Sequence, residues 1–263
     1  MRAPLATARW VELKDGAGYV LDGAPWEGAG QTGEVLAELD AAGRAAGWVR
    51  LPPAAPSKIV CVGRNYRAHA AELGHDVPAE PLLFLKPPSS VVGPDDAVEL
   101  PPERISSRVE HEVELALVIG RRTRRASVEE ASDAVFGYTA ACDVTARDLQ
   151  KKDGQWTRAK GMDTFCPLGP VLVAGLDTSA LRLRCTVSGV VRQDGTTADM
   201  VFRPAELVAY ASAVMTLEPG DVLLTGTPAG VGPLVAGDEL AFEVAEIGRV
   251  AVPVRAAPAE PGR

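Results

Sequence analysis

A mixed α+β fold dominated by short strands is what this sequence predicts: a rolled or sandwiched β-domain behind a small α+β appendage. Three observations carry the expectation. Apolar stretches rich in Val, Leu and Ile recur from residue 58 onward, and proline- and glycine-containing turn dipeptides separate most of them. Helical patterns are few and short. With 263 residues, 46% hydrophobic and 24% charged, the chain can bury one large core and still carry a minor unit.

Residues 1–54 are rich in Ala and Gly and weakly periodic. They hold two strand-like pieces, over 8–13 and 18–21, and a predicted helix over 34–46 that Gly47 can stop. Leu51-Pro-Pro-Ala-Ala-Pro56 is a stiff connection, because proline fixes φ and cannot donate to a ladder. The boundary is placed there, with a main domain over 55–258 and a tail over 259–263. Strands are expected over 58–62, 82–86, 113–119, 135–143, 171–173, 181–187, 222–225, 239–244 and 249–254. Turns are expected at Pro-Pro 87–88 and 101–102, Gly-Pro 93–94 and 169–170, Asp-Gly 194–195 and Pro-Gly 219–220. Helices are expected over 66–73, 128–132 and 204–215, the last with Pro204 in its first turn, where proline is tolerated. Many strands with few helices fit a roll or sandwich better than a doubly wound sheet.

A formal net charge of −8 argues against a nucleic-acid partner. No apolar run approaches the length of a membrane span, and the N-terminus lacks a secretory apolar core, so the expected location is the cytoplasm. The run Arg121-Arg-Thr-Arg-Arg125 reads as a solvated connection. Cys61, Cys142, Cys166 and Cys185 show no Cys-x-x-Cys spacing, so zinc-finger and thioredoxin readings fail and reduced, buried thiols are expected.

The most informative feature is Glu112-Val-Glu114, followed after a stretch by Asp143. Residues two apart on a strand share a face, so the two glutamates stand side by side. The run from His111 to Gly120 reads as one strand, with Val113, Leu115, Leu117 and Ile119 on one face and Ala116 and Val118 continuing the other. Two ionised carboxylates in such a half-apolar setting repel and lose hydration unless a cation joins them. Oxygen ligation favours Mg²⁺ or Mn²⁺, with Ca²⁺ possible. An exposed pair of glutamates at a strand edge is the alternative. His69 and Glu72, three apart on a predicted helix, form either a general base with its orienting carboxylate or a plain surface pair. The stretch Asp143-Val-Thr-Ala-Arg-Asp148 leads through Gln150 to Lys160, and Thr225-Gly-Thr-Pro-Ala-Gly-Val-Gly232 is not a phosphate loop, since no Gly-Lys-Ser/Thr follows.

Together these stretches resemble the fumarylacetoacetate hydrolase superfamily, in its acylpyruvase and 2-hydroxyhepta-2,4-diene-1,7-dioate isomerase-like branch. The matching elements, in order, are Gly63-Arg-Asn-Tyr66 with its following His, Phe84-Leu-Lys-Pro87, Glu112-Val-Glu114, Gly137-Tyr-Thr with Asp143-Val-Thr-Ala-Arg-Asp148, Lys160, and the 225–232 loop. They span roughly residues 57–255. The resemblance implies a mixed β-roll catalytic domain, commonly in homodimers, with Mg²⁺ or Mn²⁺ on Glu112, Glu114 and Asp143. It implies a lid at about 66–80, a water-activating dyad of His69 and Glu72, and a catalytic Lys160. Arg64, Tyr66, Arg147, Gln150 and Thr227 are the substrate-binding candidates.

The expected activity is hydrolysis of a C–C bond in an acylpyruvate- or fumarylacetoacetate-like 1,3-dicarbonyl acid through a metal-bound enolate. A small anionic acid would chelate through two oxygens, helped by Arg64, Arg147 and Lys160. Oxaloacetate-type decarboxylation or hydroxymuconate-type isomerisation needs the same electron sink without the attacking water. A non-catalytic barrel with a structural ion is a third reading, disfavoured because such an ion needs neither His69 nor Lys160.

Overall fold

A computed structural model describes residues 9–15, 17–36 and 50–258. The chain divides into two compact units, residues 1–51 and 52–263.

In the first unit, β1 (Val11–Lys14), β2 (Ala17–Leu21) and β3 (Gln31–Leu36) form an antiparallel sheet in that order. The helix expected over 34–46 is corrected at its start. Residues 34–36 belong to β3, where Val35 pairs with Tyr19, and residues 37–46 lie outside the described residues. Cross-strand pairing outweighs the helical propensity of Glu34 and Leu36.

In the second unit the strands are β4 (Ile59–Gly63), β5 (Leu82–Lys86), β6 (Val91–Val92), β7 (Val98–Leu100), β8 (Val109–His111), β9 (Val113–Ile119) and β10 (Val135–Cys142). There follow β11 (Thr145–Ala146), β12 (Cys166–Val173), β13 (Arg182–Val187), β14 (Val190–Thr196), β15 (Val222–Leu224), β16 (Gly232–Pro233), β17 (Glu239–Val244) and β18 (Gly248–Ala256). The helices are α1 (Arg67–Glu72), α2 (Val128–Ser132), α3 (Arg147–Asp153), α4 (Thr157–Lys160) and α5 (Pro204–Val214). The fold is mostly β with curled sheets. A seven-stranded sheet runs β5-β4-β15-β9-β10-β12-β6, a five-stranded one β14-β13-β17-β18-β7, and β11-β8-β16 make a third.

Strand β9 is buried along its whole length, which is why neither of its faces reads as polar. Val113 and Leu115 enter a core shared with Leu183, Phe242 and Val252 of the five-stranded sheet. Leu117 and Ile119 enter a second core with Val60 and Leu223, closed by Leu207, Val208 and Ala211 of α5. Ser127 caps α2 through the amide of Glu130, whose carboxylate returns to the Ser127 amide.

Three further expectations change. Gly169-Pro170, expected as a turn, lies inside β12, where Gly169 pairs with Ala140. The strand read from His111 onward is broken at Glu112, so β8 and β9 belong to different sheets. The Asp-Gly turn at 194–195 is instead inside β14, where Arg184 pairs with Asp194 and the Arg182 guanidinium donates to its carboxylate. The hairpin turns at Ser188-Gly189, both with positive φ (49° and 80°), the conformation that matches strand twist. A Cβ on Gly195 would lie 2.5 Å from Pro228 Cβ, so this glycine lets the 225–232 loop close on the hairpin.

Two carboxylates, Asp221 and Asp148, tie loops to this frame. Asp221 is fully buried and accepts from Ser57 N (3.0 Å), Ser57 Oγ (2.6 Å), Lys58 N (3.1 Å) and Glu218 N (2.8 Å), and pairs with Lys58 Nζ. Asp148, in the first turn of α3, accepts from Ser106 Oγ (2.6 Å), Ser107 N (3.0 Å) and Leu149 N (2.9 Å). Burial works against its ionisation, but these donors outweigh it and hold the carboxyl below its usual range.

Asp221→Ala strands several donors at once, and is expected to cost about 3–5 kcal/mol by urea denaturation; a loss under about 1 kcal/mol would refute the anchoring role. For Asp148 the folded pKa lies below the unfolded one, so its contribution is full above about pH 4 and fades as pH falls through the folded value. Asp148→Asn should therefore be less stable than the parent at neutral pH, with a shallower loss of stability on acidification. Parallel acid limbs in the two proteins would contradict this.

Candidate active site and metal centre

Antiparallel pairing of β9 with β10 brings the acidic residues together. Val113 pairs with Cys142 and Glu114 with Ala141, and the Asp143 amide donates to the Glu112 carbonyl at 2.8 Å. Asp143 therefore stands across from Glu112, with Glu114 two residues further along the same ladder. One carboxylate oxygen from each lies within 4.8 Å of the others, and all three residues are buried.

Three buried cations surround them. Lys160 Nζ, at the end of α4, donates to Glu112 Oε2 (2.8 Å) and Asp143 Oδ2 (2.5 Å) and lies 5.0 Å from the centre of the Phe84 ring. Lys86 Nζ donates to Asp143 Oδ1 (2.6 Å) and to the Val144 carbonyl (3.2 Å). Arg147 binds Glu110 through Nε (2.7 Å), Gln150 through Nη1 (2.5 Å) and Glu112 through Nη2. Burial disfavours the Glu112 carboxylate, yet Lys160 and Arg147 overcome it and hold this group well below the ordinary range. Lys160 is likewise penalised by burial and raised by Asp143 and Glu112.

Glu114 is the exception. Among the described residues no basic side chain pairs with it, and its carboxylate receives the Gly226 amide at 2.6 Å. Burial, then repulsion by Asp143 and Glu112, push its carboxyl well above the usual range. A buried acid cluster with one carboxylate lacking a counter-charge fits a hard divalent cation. Such an ion, with bonds of about 2.1–2.5 Å, holds oxygens roughly 3–5 Å apart.

The predicted dyad lies on α1. His69 is buried, with Nδ1 3.4 Å from Glu72 Oε2, and the Gly230 amide reaches both Glu72 oxygens at 3.1 Å. Helix α1 is thus docked on the 225–232 loop. Burial lowers the His69 pKa, only partly countered by Glu112 and Glu72, so the imidazole is neutral at neutral pH. Asn65 fixes the entry to this helix: it donates to the carbonyls of Phe202 and Thr225 and accepts from the Phe202 amide. A Cβ on Gly226 would sit 2.8 Å from Asn65 Cβ, so only glycine lets the two loops close.

The substrate-binding candidates fare differently. Arg147 is engaged with Gln150, Glu110 and Glu112. The Thr227 hydroxyl is already committed, donating to the Val113 carbonyl (2.7 Å) and accepting from Gln193 (2.7 Å). Tyr66 is buried with its hydroxyl unpartnered. Arg64 has a positive φ of 58° and faces an open cleft of about 470 Å³ with residues 75–82. Sequence reasoning overlooked Lys86, which it treated only as part of a matching motif. Strand alternation places Lys86 on the same side of β5 as Phe84, and that was the available signal. The Gly226 amide gives no side-chain signal at all.

The Fumarylacetoacetate (FAA) hydrolase C-terminal family model matches residues 58–255. The mitochondrial oxaloacetate tautomerase of Arabidopsis thaliana is 48% identical over 200 residues, covering 74% of this chain and 89% of that protein. Among solved structures, 2-hydroxyhepta-2,4-diene-1,7-dioate isomerase from Mycobacterium marinum superposes with a TM-score of 0.81 at 41% identity, covering 94% of this chain and 92% of its own. Fumarylpyruvate hydrolase from Pseudomonas aeruginosa, in complex with Mn²⁺ and pyruvate, gives 0.72 at 32% identity, with 80% and 94% covered. No helix among the described residues is long and apolar enough to cross a membrane. With a family match over most of its length and relatives this similar, the chain belongs to the fumarylacetoacetate hydrolase family.

Proposed function

We propose that this protein is a divalent-metal-dependent enzyme that moves a proton on a small 2-oxo dicarboxylic acid, interconverting enol and keto forms or shifting a conjugated double bond. The carrying observation is the neutral, buried His69, oriented by Glu72 and within electrostatic reach of Glu112 in the acid cluster. Glu112, Glu114 and Asp143 would hold Mg²⁺ or Mn²⁺. When bound, such an ion accepts the oxygens of a 2-oxo acid and draws electron density from its carbonyl.

This chain's own groups do the rest. With Glu114 ionised on a bound ion, the buried set of Glu110, Glu112, Glu114 and Asp143 would exceed Lys86, Arg147 and Lys160 by one negative charge; a dication would reverse that sign and favour an anionic ligand. Glu72 holds Nδ1 of His69 in its protonated tautomer, leaving Nε2 to take the proton and return it. Lys160 steadies negative charge on the reacting fragment. The docked helix α1 excludes water that would otherwise compete.

The sequence alone placed C–C hydrolysis first. Higher identity to a tautomerase and an isomerase than to a hydrolase moves proton transfer ahead of it in this reading. Hydrolysis of an acylpyruvate-like acid is the second reading, favoured by a dyad that can equally deprotonate water.

With oxaloacetate, acylpyruvates and hydroxymuconate analogues assayed with Mg²⁺ or Mn²⁺, the expected product retains every carbon. Release of CO₂, or two shorter fragments at comparable rate, would defeat proton transfer as the principal activity. His69→Ala should lower turnover by about 10²–10⁴-fold while Mn²⁺ binding persists; undiminished turnover removes the dyad from the reaction. Glu114→Gln relieves buried repulsion, so without metal it should melt no lower than the parent, yet gain no thermal stability from Mn²⁺, whereas the parent does. A variant stabilised by Mn²⁺ as strongly as the parent would exclude Glu114 as a ligand.

A further inference from the structure

The side chain of Gln193 is fully buried, belongs to no motif above, and meets both halves of the site. Its Oε1 accepts the Val113 amide at 3.0 Å, between Glu112 and Glu114, and lies 3.0 Å from His111 Nδ1. Its Nε2 donates to Thr227 Oγ1 at 2.7 Å and to the Pro228 carbonyl at 2.8 Å. Around it the hairpin and the 225–232 loop touch at backbone distance. Gly195 lies under Pro228, and a Cβ on Gly230 would fall 2.1 Å from the Arg192 carbonyl. Gly230 in turn presents the amide that holds Glu72, and Glu72 holds His69.

We propose that Gln193 is a positioning residue that sets the acid cluster and the docked helix α1 in register through one amide group. Oε1 fixes the strand between two of the carboxylates. Nε2 fixes the loop on which the His69–Glu72 pair docks. A single planar amide binds both, so displacement of the loop is transmitted to the Val113 backbone. The hairpin β13–β14, outside the seven-stranded sheet, is therefore part of the reaction frame. The inference rests on the metal-dependent reading above, with the acid cluster taken as the ion site.

The test uses the full chain, Mn²⁺ alone as probe, and hydrogen exchange of α1 amides as the measure of docking. Gln193→Met keeps the volume and removes all four contacts. It is expected to weaken Mn²⁺ binding about 10–100-fold, the range for groups that orient metal ligands, and to speed exchange across residues 67–74. Gln193→Glu keeps the acceptor and loses the two donated bonds. It should bind Mn²⁺ at least as tightly as the parent, with an unchanged Mn²⁺ resonance spectrum, while α1 exchange still accelerates. A merely structural role would move both readouts together with melting temperature in both variants, and that result overturns the proposal. So does parental exchange across α1 in either folded variant, or parental Mn²⁺ affinity in Gln193→Met. If Gln193→Met does not fold, Gln193→Glu alone decides, by whether docking loosens with affinity kept. Failure of the parent itself to take up Mn²⁺ would instead sink the metal reading.

Discussion

Pairing of β9 with β10 is the constraint on which this protein rests. One register brings Asp143 across from Glu112 and leaves Glu114 one side-chain pair away, and a shift by one residue would turn every carboxylate to the other face. Both faces of β9 are buried, so a slip by one residue would drive Glu112 and Glu114 into the apolar cores that Val113, Leu115, Leu117 and Ile119 fill. Core packing and site geometry are thus one requirement.

Concentrating four carboxylates and three cations in a buried pocket is costly, and the arrangement shows how the cost is contained. Lys86, Lys160 and Arg147 neutralise Asp143, Glu112 and Glu110 by charge-assisted bonds. Among the described residues Glu114 receives a backbone amide and no basic side chain, so ionising a carboxyl costs most at the position where an ion fits best. Stability and chemistry pull in opposite directions at this one residue, as they commonly do at active sites.

Helix α1 is too short to be stable by itself, since six residues make little more than one turn. It is held from outside: by the Asn65 bonds at its start and by the Gly230 amide on Glu72 near its end. The isomerase and the hydrolase to which this chain is similar differ in activity on one fold. Phe84 and Trp156 pack edge to face at 5.1 Å, with Lys160 Nζ over the Phe84 ring.

Several elements were legible in residue order alone. Apolar alternation located most strands, Pro204 marked the start of α5, and the spacing of Glu112, Glu114 and Asp143 identified the acid trio. These depend on local periodicity or on nearest ladder pairing, which one-dimensional patterns record. The helix expected at residue 34, the Asp-Gly turn at 194 and the unbroken strand through Glu112 were misread, because pairing partners far along the chain override local propensity. Lys86, the Gly226 amide and Gln193 acquire meaning only from what folds against them, 57, 112 and 80 residues away in the chain. The amino-acid sequence by itself determined which acids and bases this protein possesses and which strands carry them. Only tertiary structure decided which of them are neutralised, which one receives no basic side chain among the described residues, and which loop holds the histidine in place, since those outcomes are set by distances between segments that no local pattern encodes.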